Sequence, residues 1–200
     1  MSAETDQVRL RSVGSLQQIY AVVIALAISQ AIQALLKNPI SGALLEPWQV
    51  GPGVPSFVAF LVTLIPFWHG MNRHLDRCYV EKKDSVAEGA LLFDFGTFFL
   101  EGSLLFAVAW SLRSWVYSFI GLGALLVVDM CWGFVSHQIH FHGHKSHVIR
   151  WSTVNLVAIF VAVLVVALPF EHKALVLMVV AIVRSICDYG VCWRFYFPPR

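Results

Sequence analysis

Five ionisable side chains interrupt the apolar runs of this 200-residue chain: Asp94, Glu101, Asp129, Arg184 and Asp188. A charge surrounded by hydrocarbon is costly, so such groups face protein or water and are candidates for a path taken by a proton or cation. Asp94 and Glu101 are seven residues apart, nearly two helical turns, which places both carboxyls on one face about 10 Å apart along the axis. Carboxyls so placed repel unless they are protonated or matched by a cation. The pair is therefore a candidate transport pathway, with Asp129 as a third carboxyl and Gln30 and Gln33 as polar companions from an earlier apolar run. In the simpler structural alternative, Glu101 is hydrogen-bonded to glutamines or meets Arg113. Arg184 and Asp188, four residues apart, suit a self-contained structural ion pair across one turn.

Histidine forms the second concentration. Residues 137–147 contain His137, His140, His142, His144 and His147, and His69 and His74 lie in an earlier joint expected on the same side of the membrane. Imidazoles at this density are candidate ligands for zinc or a transition metal. They equally suit a surface that buffers protons or attracts anionic headgroups. His69 and His74 resemble the first histidine box of membrane-bound di-iron oxygenases and desaturases. Later boxes of that family hold adjacent histidine pairs, whereas this chain has no His-His and only eight histidines in all. Residues 67–75 resemble the segment ending the second helix of six-helix subunits related to the lysosomal potassium channel. The Phe-Ser-Asp signature of their first helix is replaced here by Ile19-Tyr20-Ala21. No phosphate-cradling glycine loop, serine nucleophile motif or His-Glu-x-x-His zinc motif is present.

The elements that position these groups follow from composition. The chain is 58% hydrophobic and 13% charged, with a mean hydropathy of +0.71, and its apolar residues form long blocks separated by short polar joints. That pattern reads as an all-α integral membrane protein rather than a soluble globule or a β-barrel of short alternating strands. Six spans are expected, at about residues 16–36, 55–77, 87–110, 115–136, 152–168 and 174–193, forming one membrane domain over residues 16–193. Pro66 is expected to bend the second span without ending it. The short joint after the third span makes the third and fourth antiparallel neighbours. Gly121 and Gly123 suit close helix packing better than nucleotide binding.

Basic residues segregate to alternate joints, with Arg73, Arg77, Lys82, Lys83, Lys145 and Arg150 on one side and only Lys37, Arg113 and Lys173 on the other. The positive-inside rule then places residues 1–15 and 194–200 in the cytoplasm as tails of a multi-pass protein of the cell or inner membrane. The polar first fifteen residues argue against a cleaved leader. A net charge of +2 without a basic stripe argues against nucleic acid as a partner. Cys78, Cys131, Cys187 and Cys192 form no Cys-x-x-Cys pair and read as reduced thiols.

Three function classes follow. The leading expectation is a channel or transporter subunit moving protons or small cations, acting as a homo-oligomer or within a larger membrane complex, with lipids as its other partners. The alternatives are an accessory scaffold of such a complex and a histidine-rich metal-binding membrane enzyme, the composition leaning away from an enzyme.

Overall fold

The structure, a computed structural model, describes residues 3–38, 40–81, 89–140 and 147–198; the side chains of residues 3–6, 9, 139, 140 and 147 lie outside that description. Within it the protein is helical, and six helices are long and apolar enough to cross a membrane. They are α1 (Ala3–Leu36), α2 (Val54–Leu75), α3 (Ala90–Ser111), α4 (Trp115–His140), α5 (His147–Ala167) and α6 (Lys173–Val191). In hydrocarbon every backbone N–H and C=O needs an internal partner, and a long unbroken apolar run meets that need only as a helix.

Several boundaries move outward from their expected places. The polar residues before position 16 are helical too and run on into α1, because no proline stands between Ala3 and Leu36 to stop the helix. Proline falls instead where it is tolerated: Pro55 opens α2 in its first turn. Helix α2 runs through the buried Pro66 and continues as a π-helical segment, Asp76–Glu81. Gly89 precedes α3 with φ +80, a left-handed conformation that glycine adopts without a Cβ penalty.

The six helices close into a ring. Helix α1 packs on α3, α3 on α4, α4 on α5, α5 on α6, α6 on α2, and α2 back on α1. Small residues bring these neighbours close. A Cβ on Gly102 would lie 2.7 Å from Val23 Cγ1, and one on Gly121 would lie 2.6 Å from Val108 Cγ2. The packing expected of Gly121 is thus present, whereas Gly123 has no neighbour within 4 Å. Arg113, in the α3–α4 turn, donates to Ala34 O at 2.9 Å and Lys37 O at 2.8 Å. It satisfies orphan carbonyls at the end of α1 and fixes that end of the ring.

Burial follows the same geometry. Tyr20, Ile24, Ala27 and Ala31 of α1, Phe60 and Leu64 of α2, Leu105 and Val108 of α3 and Leu125 of α4 are buried inside. Val22, Leu26, Phe99, Ile120, Phe160, Val163 and Ile186 are exposed on the outside. An exterior this apolar belongs against lipid tails, consistent with a multi-pass membrane protein.

Candidate functional site

The ring encloses a partly open cavity of about 600 Å³, counted to its mouth. Its lining comes from α2 at Pro66, Phe67, Gly70, Met71 and His74, from α3 at Phe98 and Glu101, and from α4 at Asp129, Trp132, Gly133 and Ser136. Val148 and Trp151 of α5, Arg184 and Asp188 of α6, and Cys192, Phe195 and Tyr196 after it complete the wall. Since successive spans alternate in direction, these positions fall in the half of the bundle nearest the chain ends and the two basic joints. Gly133 is required there. Its Cβ would stand 2.1 Å from Cζ3 of Trp151, so a larger residue would displace that ring.

The first polar group on the wall is a chain crossing α4, α5 and α6. Asn155, fully buried, donates from Nδ2 to Asp129 Oδ2 at 3.1 Å and accepts from Arg184 Nε at 2.8 Å. Arg184 NH2 lies 3.5 Å from Asp188 Oδ2, and the Tyr196 hydroxyl donates to that oxygen at 3.1 Å. The guanidinium also stands 5.5 Å from the centre of the Phe67 ring. Arg184 and Asp188 are therefore not self-contained as their spacing suggests. They belong to a four-helix network because Asn155 and the ring of Phe67 reach the guanidinium from α5 and α2.

The second group centres on Asp94, which lies one layer behind the wall. Its Oδ2 faces His74 Nε2 at 3.0 Å and accepts from the Tyr79 hydroxyl at 2.7 Å. Oδ1 accepts from Trp132 Nε1 at 2.8 Å. Donors from α2, its π-helical extension and α4 thus converge on one carboxyl of α3. Cys78 Sγ lies 3.8 Å from His74 Nδ1, which gives the thiol–imidazole–carboxyl order of nucleophilic enzymes. Cys78 is buried and absent from the described cavity wall, so a substrate there would not meet its sulfur.

Glu101 is different. It is 2% exposed, lines the cavity, and its Oε1 has no hydrogen-bond partner among the described residues. Arg113 is engaged at the far end of α1, so the expected alternative pairing is not made. Arg184 NH1 and Asp188 Oδ1 are likewise unpartnered on the same wall. Buried polar atoms are satisfied in the great majority of cases, and a cluster of exceptions marks where water, an ion or a ligand would be held.

The remaining candidates separate. Asp94 and Glu101 both point inward as their spacing implies, but only Glu101 reaches the wall. Gln33 is exposed and Gln30 half-buried, and neither lines the cavity, since their side of α1 faces away from it. His69 packs against Tyr189, Tyr196 and Phe197, with Nδ1 3.2 Å from the Tyr189 hydroxyl. His74 is committed to Asp94. His137 is on α4, whereas His142, His144 and the side chains of His140 and His147 lie outside the described residues. Among the described residues no group of three or more His, Cys, Asp or Glu side chains is arranged to hold a metal ion. All four cysteines are free thiols.

Sequence reasoning overlooked Asn155, Trp132, Trp151, Tyr79 and Tyr196. Asn155 carried a signal, being the one amide between Val154 and Leu156 in an otherwise apolar run. Trp132 also carried one, being a tryptophan set inside an expected span, about one turn short of its end. Tyr196 had none, since it falls in a segment that reads as tail. Beyond the last span, burial followed by the nearby Asp188 carboxylate pushes the Cys192 thiol up to about 12, and the same two causes raise the Tyr196 hydroxyl. Both stay protonated at neutral pH. Comparison with protein-family models, curated proteins and solved structures gave no match.

Proposed function

We propose that this chain is a transport subunit that moves protons or small cations, with Glu101 as the group that takes up and releases the cargo. One observation carries the reading: a buried carboxyl with an unpartnered oxygen faces a cavity that also holds Asp129 and Asp188 but a single guanidinium, Arg184. Three carboxylates against one cation at low dielectric repel strongly, so the cavity takes up a proton or a cation to balance. Asp129 and Asp188, tethered through Asn155 and Arg184, form the fixed part of the site. Glu101 is the part that can exchange. The segregated basic joints favour a cavity that opens to the cytoplasm.

Liposomes containing the purified protein test this. Wild type should dissipate an imposed proton, sodium or potassium gradient, and Glu101→Gln should reduce the flux at least about tenfold while assembly is unchanged. Wild-type flux equal to that of empty liposomes for all three ions, at acidic and neutral pH, would refute the proposal and favour an accessory scaffold.

A further inference from the structure

The cavity has walls that a bare ion does not need. Phe98 and Trp132 stand with centroids 5.3 Å apart at 57°, and Trp132 and Trp151 stand 6.3 Å apart at 76°. Rings at these angles form a corner rather than a stack. Their oxygen-free surfaces cannot replace the water shell of sodium or potassium, which requires several oxygen ligands. An aromatic face does attract a weakly hydrated organic cation, whose alkyl groups also lose water-exposed area on entry. The cavity already uses this chemistry once, in the guanidinium of Arg184 near the ring of Phe67.

From these observations we infer that the cavity binds an alkylated ammonium group, with Glu101 as counter-ion and Phe98, Trp132 and Trp151 as the aromatic wall. The inference rests on the transport reading only in using Glu101 as the cargo-binding group. Arg184 is not bonded to Glu101: Nε is held by Asn155, NH2 faces Asp188, and NH1 and Glu101 Oε1 are both without a partner. Its unpartnered NH1 calls for an acceptor beside the ammonium. Two sources carry that chemistry: a free organic amine accompanied by water, or the headgroup of a choline lipid, whose phosphate would meet NH1 directly.

Calorimetric titration of the full-length protein in dodecyl maltoside, which has no ammonium group of its own, tests the inference with benzyltrimethylammonium and with phosphocholine. Saturable binding of at least one compound is expected. It should weaken about tenfold in Glu101→Gln and several-fold in Phe98→Leu, which keeps an apolar side chain and deletes the ring. Tighter binding of phosphocholine, together with choline lipid co-purifying at stoichiometric level, identifies the lipid source; preference for benzyltrimethylammonium identifies a free amine. Absence of saturable heat for both compounds, in protein that melts cooperatively, overturns the inference. Binding that survives both substitutions overturns it as well, and if Glu101→Gln does not assemble, Phe98→Leu decides alone. Proton, sodium and potassium flux, measured on the same protein reconstituted in liposomes, separates the two proposals. Flux without binding refutes the ammonium site and keeps transport, whereas binding without flux does the reverse.

Discussion

Replacing Asp94 distinguishes a structural anchor from a transport group. Its carboxyl faces His74 Nε2, the Tyr79 hydroxyl and Trp132 Nε1 at 3.0, 2.7 and 2.8 Å, and it is fully buried. Asparagine keeps the shape but offers one acceptor oxygen. If that oxygen takes the place of Oδ2, the Trp132 N–H meets an NH2 group; if the amide flips, His74 Nε2 and the Tyr79 hydroxyl do. The first orientation strands the fewest donors, one, which costs about 1.5–3 kcal/mol when the lost acceptor was a charged group. Hydrogen bonds within membrane proteins average nearer 0.6 kcal/mol, because helices left in the bilayer find other partners. Three donors converging from two neighbouring helices are harder to replace, so the upper range is expected. Asp94→Leu strands all three at about 1–3 kcal/mol each. That sum rivals a typical total stability of about 5–15 kcal/mol, and the variant should fail to accumulate. Unfolding of Asp94→Asn, Tyr79→Phe and the double variant in mixed micelles gives the coupling energy directly. If Asp94→Asn unfolds within about 0.5 kcal/mol of wild type yet abolishes flux, the anchor role is wrong and Asp94 belongs to the pathway.

Four further outcomes are expected. Gly133→Ala should displace the Trp151 ring and destabilise the protein by about 1–3 kcal/mol, read as a lower unfolding midpoint; an unchanged midpoint would contradict the contact. Burial and the Asp188 carboxylate push the Cys192 thiol up to about 12, so maleimide should label it far more slowly than an unperturbed thiol, and Asp188→Asn should speed the reaction. Because the folded thiol holds its proton up to about 12 and the unfolded one only to about 9, the unfolded state binds fewer protons between these values. Stability therefore falls as pH rises across that window, and a smaller fall in Cys192→Ala checks the sign. Cysteines placed at positions 5 and 198 should react with a membrane-impermeant reagent from one side and a cysteine at Gln49 from the other; opposite exposure of positions 5 and 198 would exclude an even number of spans.

The network around Arg184 also explains how so many charged groups coexist inside the bundle. Each bond in the chain from Asp129 through Asn155 and Arg184 to Asp188 satisfies an atom that would otherwise be stranded. Removing one member would leave the charges of the others without compensation at low dielectric. Arg184 NH1 and Asp188 Oδ1 stay outside these bonds, and both residues line the cavity.

The helical membrane class and the number of long apolar helices were legible in the sequence, because hydrocarbon allows few backbone arrangements and its thickness sets their length. The inward direction of Asp94, Glu101, Asp129, Arg184 and Asp188 was legible too, because the cost of a charge in lipid forces it. What these groups meet was not. Asp94 and Glu101 are equivalent in type and share a helix face, yet one is enclosed by donors and the other lines the cavity with an unpartnered oxygen. That difference depends on where α2 and α4 place His74, Tyr79 and Trp132, which the spacing within α3 does not encode. Likewise, the i, i+4 step predicts that Arg184 and Asp188 can meet, but only the closing of the ring brings Asn155 and Phe67 to them. Sequence spacing specifies neighbours along one helix, whereas a site lined by five helices depends on their order around the ring and on the small residues that set their separation.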